Sequence, residues 1–372
     1  MTPRAGEKTA PPPARGGGPR SLPYLLLLPA TVLLAVVLGY PIVRLLVLSL
    51  QDAKLRDLVQ GTEAWNNFAN YAEILTDATF WAVMGRAIVF AAACVVATMV
   101  IGMMLARLGR IVRLVLSVSL LMAWATPHVT ATQVWQWLFD TRYGLVNFVL
   151  VKLGLTGFDN HSWLAEPASL LTVAGVTVVW GALPFVALTL YAGRTQIDES
   201  LYEAAGMDGA TPWQVFRSIT VPMLAPIFTM LAALSTIWDF RVFTQVFLLQ
   251  QAGGITSETN LISIHAYRTS FSGNDFGGGA AIAVVMVLVL AGLSVFAFIL
   301  AWNEFILANV VLLSKENATL PLWLASFQSS FKEIDWSGLM AASTLFALPV
   351  IVFFVVVQGR LHEGAAAGGV KG

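Results

Sequence analysis

"YEAAGMDGATPWQVFRSITVP", residues Tyr202–Pro222, is a polar, helix-prone island between two strongly apolar segments. Asp198-Glu199-Ser200 just ahead of it can start a helix, and Leu201 to Met207 contains good helix formers. Gly206, Gly209 and Pro212 then interrupt the pattern. Gln214 to Ile219 reads as a second short helix, and Pro222 opens the apolar segment that follows. The expectation is a helix–turn–helix knob projecting from whatever the flanking segments build.

Those segments build a membrane protein. Of 372 residues, 57% are hydrophobic and only 11% are charged, against about 25% charged in soluble domains. A span needs about 20 apolar residues. The blocks that qualify are Leu22–Leu50, Phe80–Ala106, Leu114–Phe139, Ala168–Tyr191, Met223–Leu249, Gly278–Leu300 and Trp336–Val357. The first 21 residues are rich in Pro and Gly and carry Arg4, Lys8, Arg15 and Arg20, which reads as a disordered basic tail. The first apolar block is too long for a signal-peptide core and lacks a cleavage site, so it reads as an uncleaved span. With the N-terminus inside, the inner segments hold that tail, then Arg107, Arg110 and Arg113, then Arg194 and Arg217. The outer segments hold Lys54 and Arg56, Arg142 and Lys152, and Arg268, fewer cations over longer stretches. The positive-inside rule therefore places the N-terminus and the loop Gly193–Pro222 in the cytoplasm. The fold class is all-α and polytopic.

Several chemistries are excluded. Net charge is zero, so nothing in the balance points to nucleic acid. Cys94 is the single cysteine, and His128, His161, His265 and His362 are too scattered to form a metal-ligand pattern. No G-x-x-x-x-G-K-[ST] phosphate loop is present and no nucleophile–base constellation stands out. The chain reads as a non-enzyme with no cofactor and no metal, drawing any energy from a partner.

Glu203-Ala204-Ala205, three residues, Gly209, nine residues, then Ile219-x-Val221-Pro222 resembles the EAA loop of binding-protein-dependent ABC transporter permeases. The usual pattern ends Ile-x-Leu-Pro, so Val221 departs mildly. "DGA" at Asp208–Ala210 and "WQWLFDTRYGLVN" at 135–147 resemble the carbohydrate-uptake branch. The resemblance covers most of residues 20–300. It implies a six-span permease fold in which this loop is a coupling helix seated on a cytoplasmic ATPase dimer. It also implies a second permease subunit, an extracytoplasmic solute-binding protein and a sugar, polyol or glycerophosphate substrate. The residues suit the implied role. Ala204, Ala205 and Gly206 are small enough for close approach, Glu203 can pair with a partner's cation, and Gly209 permits a positive-φ turn. The loops at 51–79 and 250–277 are the expected docking surfaces for the binding protein.

Beyond residue 300 the sequence repeats itself. "WDFRVFTQVFLL" at 238–249 aligns with "WNEFILANVVLL" at 302–313, and "AYRTSFSGNDFGGGAA" at 266–281 aligns with "SFQSSFKEIDWSGLMA" at 326–341. "AWNEF" at 301–305 and "TLPLWLASFQ" at 319–328 resemble the C-terminal part of the partner permease. Three segments follow: a tail over 1–21, a permease domain over 22–300 with its loop at 193–222, and an appended partial repeat over 301–372 that reads as a fusion. The join conflicts with the spans. Gly278–Leu313 as one helix would reach about 54 Å, against a hydrocarbon core of about 30 Å.

Polar residues inside spans are costly and often functional. Gln133, Gln136, Asp239, Arg241 and Gln245 are the candidate substrate-pathway residues. On one helix Asp239 and Arg241 would point about 200° apart. Trp135, Trp137 and Trp180 offer flat faces for sugar rings or serve as interfacial anchors. Pro127 and Pro184 are expected to bend their spans, and His128 is read as a helix-packing group. The reading is a permease subunit working by alternating access. The rivals are a fusion remnant that keeps the ATPase contact but moves nothing, and an ion-coupled transporter titrating Asp239.

Overall fold

The computed structural model describes residues 22–108, 115, 118, 119, 122, 124–253, 255–302 and 344. The basic tail, most of the front half of the third expected span, the seventh expected span apart from residue 344, and the second copy of the repeat apart from residue 302 lie outside the described residues.

Among the described residues the chain is almost wholly helical. Helix α1 (Leu22–Leu34) runs through a π-turn at Ala35–Gly39 into α2 (Tyr40–Leu48). A two-residue antiparallel pair, β1 (Gln51–Asp52) with β2 (Ala64–Trp65), brackets α3 (Leu55–Gln60). Then come α4 (Ala69–Thr76), α5 (Ala78–Ala106), α6 (His128–Leu138), α7 (Leu145–Lys152) and α8 (Pro167–Arg194). The loop region holds α9 (Glu199–Met207) and α10 (Pro212–Val215), and a second π-turn at Phe216–Thr220 leads into α11 (Val221–Phe240). Helices α12 (Thr244–Gln251), α13 (Thr256–Thr259) and α14 (Ile262–Tyr267) precede the long α15 (Phe276–Trp302).

Among the described residues five stretches are long and apolar enough to cross a membrane: Leu28–Leu48, Ala78–Ala106, Pro167–Arg194, Pro212–Gln251 and Phe276–Phe296. Both π-turns that interrupt a span sit just ahead of a proline, Pro41 and Pro222. A proline has no N–H for a regular i→i−4 bond and its ring crowds that carbonyl, so the backbone widens by one residue instead of breaking. Pro184, by contrast, lies inside α8 without ending it.

Packing splits into two apolar clusters. The larger joins α5 (Phe80, Val83, Phe90) to α8 (Leu170, Val173), α12 (Val246, Leu249) and α14 (Ile262, Ile264). The smaller joins Met103 and Ala106 of α5 to Val186 and Leu190 of α8 and to Leu224, Ile227 and Leu231 of α11. Close approach there uses glycine. A Cβ on Gly102 would lie 3.0 Å from Val186 Cγ1, and one on Gly193 would collide with Ile227 Cδ1.

The polar ends of the helices are tied at opposite poles. At one pole, Leu55 N–H donates to Asn274 O (3.1 Å) and Phe276 N–H donates to Ala53 O (2.9 Å), so segments 51–79 and 250–277 are joined. Buried Asn70 donates to Ser49 O (3.0 Å) and Gln51 O (2.9 Å), and Arg44 pairs with Glu63 at 2.9 Å. Asp77 caps α5 by accepting from Thr79 N–H, a bond that holds its carboxyl below the usual range. Burial pushes the nearby His265 imidazole down, with Asp77 pulling the other way. At the other pole lie the ends of α5 and α8 and the loop that follows α8, joined where Arg194 Nη1 donates to Ala106 O at 3.1 Å. The chain enters the described region about 40 Å of helix before Leu48, so its start lies toward this second pole.

Gly193→Val is expected to cost about 1–3 kcal/mol by overpacking, because Ile227 and Leu224 leave no room at that position. Gly292→Ala, with nothing within 4 Å of the new Cβ, should stay within about 0.5 kcal/mol of wild type. Thermal unfolding of the detergent-solubilised protein checks both; equal midpoints for the two variants would refute the packing described here.

Candidate functional site

Two regions carry polar chemistry. The first is the loop between α8 and α11. Asp198 accepts from Ser200 N–H at 3.0 Å and caps α9, and this bond holds its carboxyl below the usual range. Helix α9 includes Gly206, which sequence reading had placed among the interruptions; the break comes at Gly209, with φ at 73°. Glycine adopts that conformation at no steric cost. Thr211 and Gln214 then form a capping box around Pro212: Thr211 N–H donates to Gln214 Oε1 (2.8 Å), and Gln214 N–H donates to Thr211 Oγ1 (3.4 Å). The second helix therefore begins earlier than Gln214 and does not stop at Ile219. It passes through the π-turn into α11 without a gap, so Pro222 sits in a continuous helical run.

This knob is anchored from beneath. Ile197 is buried, and Tyr202, Phe216 and Ile219 pack against the smaller apolar cluster. Its outer face is open. Glu203, Ala204, Gly206, Asp208 and Gly209 are exposed, while Ala205 and Ala210 are half-buried. Met207 is 90% exposed and Trp213 is 66% exposed.

The second region is a break in the fifth span. The expected span Met223–Leu249 is not one helix: α11 ends at Phe240 and α12 begins at Thr244. The intervening residues contain neither Gly nor Pro. Tertiary bonding holds the break open. Ser263 donates its hydroxyl to Val242 O at 2.6 Å, satisfying a carbonyl that the helix no longer bonds. Arg241 N–H turns back to Trp238 O at 3.1 Å.

The break lines a cavity of about 420 Å³. Its walls carry Asp239, Arg241, Thr244 and Gln245, with Trp238, Trp124 and His128 around them. Asp239 is only 5% exposed. Because the helix stops between them, Asp239 and Arg241 line one cavity instead of pointing to opposite sides, and no ion pair joins them among the described residues. His128 is exposed at the start of α6 and faces this cavity, where sequence reading had it packing between helices. The third span is also interrupted: residue 124 is helical, 125–127 form a turn and α6 resumes at His128.

Gln133 and Gln136 do not join this group. Gln133 is exposed and Gln136 half-buried on α6, and neither lines the cavity. Trp135 and Trp180 meet edge to face at 6.0 Å and line a separate, apolar groove of about 750 Å³ between α5 and α8, with Arg86 and Cys94. Trp137 is exposed. Sequence reasoning missed Thr244 and Trp238 as cavity residues because nothing local announces the break. Among the described residues no cluster of His, Cys, Asp and Glu could hold a metal ion.

Residues 98–300 match the family described as "Binding-protein-dependent transport system inner membrane component". The chain is 44% identical over 278 residues to the diacetylchitobiose uptake system permease protein DasB of Streptomyces coelicolor, covering 74% of this chain and 84% of that protein. It is 31% identical to the trehalose/maltose transport system permease protein MalF of Thermococcus litoralis, over 73% of this chain and 90% of that protein. Among solved structures it is similar in fold to a chain of a bacterial ABC transporter involved in the import of alginate. The TM-score is 0.61 at 20% identity, covering 76% of this chain and 96% of that one.

A cavity reached by water makes a testable difference to thiol chemistry. Cys94 is 3% exposed, so the wild-type background should be silent toward a hydrophilic maleimide. Gln245→Cys and Thr244→Cys should react, and Leu249→Cys, fully buried in the core, should not. Labelling of Leu249→Cys but not Gln245→Cys would refute an open cavity at the break.

Proposed function

The chain belongs to the family of binding-protein-dependent transport system inner membrane components, and we propose that it is the permease subunit of an ABC importer for a sugar. Its apolar helices make it a multi-pass membrane protein. The knob at 198–222 is the surface that seats a cytoplasmic ATPase. The observation that carries this reading is a capped, anchored helix pair whose exposed face presents Met207 and Trp213 beside Glu203 and Gly209. Glu203, Ala204, Ala205, Gly206, Asp208, Gly209, Ala210 and Pro222 make up that coupling segment. The knob lies at the pole toward which the chain start points, in keeping with a cytoplasmic N-terminus. The joined segments 51–79 and 250–277 then face outward, where a solute-binding protein would deliver its cargo.

The substrate passes the cavity at the α11 break, where Asp239, Arg241 and Gln245 offer hydrogen bonds to hydroxyls and Trp238 and Trp124 offer flat faces. Gln133 and Gln136 lie apart from that cavity and keep a weaker case. The permeases DasB and MalF, named for diacetylchitobiose and for trehalose and maltose, favour a disaccharide or longer cargo. A second permease completes the pathway. The family match ends at residue 300, which supports reading 301–372 as an appended segment carrying part of that second permease's C-terminus. A remnant that keeps the ATPase contact without transport is the rival that this appended segment favours.

With an N-terminal tag and gentle extraction, the wild type is expected to hold an ATPase subunit, identified by its sequence, and a second permease. Glu203→Lys and Gly209→Val should shed the ATPase and keep the second permease. Uptake of labelled diacetylchitobiose into intact cells should fall at least about tenfold in both variants, a loss of about 1.4 kcal/mol or more. Variants that retain the ATPase contradict the docking role, and a wild type that holds the ATPase yet takes up no sugar identifies the remnant.

A further inference from the structure

The exposed docking face connects to the end of α5 through a short run of ring and cation contacts. Trp213 stands on the outer face and its ring meets the Phe216 ring at 5.4 Å. Phe216 opens the π-turn between α10 and α11, and the guanidinium of Arg107 lies over its ring at 3.9 Å from the centroid. Burial lowers the Arg107 pKa and the neighbouring Arg194 adds to the effect, while Tyr202 opposes it. Beside this stack, the Tyr202 hydroxyl shares a hydrogen bond with Thr220 Oγ1 at 3.2 Å, joining the first helix of the knob to the base of α11. Arg194, at the end of α8, donates to Ala106 O and closes the third side.

Resting on the coupling reading above, we propose that Arg107 and Tyr202 are positioning residues that clamp the knob to α5 and α11, so that motion of the ATPase reaches the cavity. Three features point there. A π-turn is a weak place in a helix, since its bonds are wider than those of an α-helix. Left alone, Phe216–Thr220 would bend under load and absorb the movement of the knob. The clamp holds that turn at both ends: Arg107 fixes Phe216, its first residue, and Tyr202 fixes Thr220, its last. Beyond the turn, α11 continues as one helix through Pro226 to Asp239 and Phe240 at the cavity wall, a length of about 27 Å. The smaller apolar cluster, with the glycine contacts at Gly102 and Gly193, keeps α5, α8 and the base of α11 in one body.

The test uses the whole transporter, purified with its ATPase and second permease and reconstituted into vesicles. The readout is sugar transported per ATP hydrolysed. Arg107→Ala is expected to lower that ratio about threefold to tenfold while the ATPase subunit stays in the complex, and Arg107→Lys, which keeps the cation, should recover most of it. Phe216→Leu, which keeps apolar bulk and removes the ring, should lower the ratio as Arg107→Ala does, and the double variant should be no worse than either single one. Tyr202→Phe should show a smaller loss. An unchanged ratio in Arg107→Ala and Phe216→Leu, or losses that multiply in the double variant, would overturn the clamp while leaving the docking role intact. A wild-type complex that binds no ATPase would overturn both.

Discussion

A backbone carbonyl or N–H in hydrocarbon has no water to bond, so every helix interruption inside a span must be repaired by protein or open onto a polar cavity. That constraint organises this molecule. The fifth span breaks at residues 241–243, and both permitted remedies are present. Ser263 caps the Val242 carbonyl, the Arg241 and Val242 N–H groups bond back to Trp238 O and Asp239 O, and the break adjoins the cavity that Asp239, Arg241 and Gln245 line. The turn at 125–127 ends at the same cavity, through Trp124 and His128. Two broken spans meeting at one hollow make a polar opening within an otherwise apolar bundle.

The remaining helices hold this opening in place from two sides. Above it, Gln250 donates to Thr259 Oγ1 (2.8 Å) and Asn260 Oδ1 (3.1 Å), and accepts from Arg268 Nη2 at 3.0 Å. Arg86 of α5 reaches Asn260 O at 2.9 Å. These buried bonds fix the short helices after the break to a long span, where an unpaired polar group would cost about 1–3 kcal/mol. Below it, α11 is packed against α5 and α8 through the smaller cluster, directly above the knob. The cavity therefore sits between a hydrogen-bonded cap and an apolar hub. From that hub α11 continues as one helix to the cavity wall.

Much of this was legible in the sequence, and the failures have physical causes. The knob could be read because its signals are local: Asp198-Glu199-Ser200 as a helix start and Gly209 at positive φ; Pro212, read as a breaker, instead opens the second helix inside a capping box. The break at 241–243 could not be read, because Arg241-Val242-Phe243 carries no helix breaker and the repair comes from Ser263, twenty-one residues on. Pro184 was expected to bend a span; α8 continues through it without ending. Asp239 and Arg241 were chosen as costly polar residues in a span, but their shared cavity depends on the break and so was out of reach. The assignment of His128 to packing failed for the same reason, since only the turn at 125–127 exposes it.

The central claim is that the knob, not the pole formed by segments 51–79 and 250–277, receives the ATPase. The most direct measurement is site-specific crosslinking in native membranes. Met207→Cys and Val59→Cys, at exposed positions on opposite poles (90% and 79%), are each loaded with a maleimide–diazirine reagent and irradiated. The account predicts a crosslink from position 207 to the ATPase subunit and none from position 59. A crosslink to the ATPase from position 59, or none from position 207 in membranes that contain the assembled transporter, would contradict it.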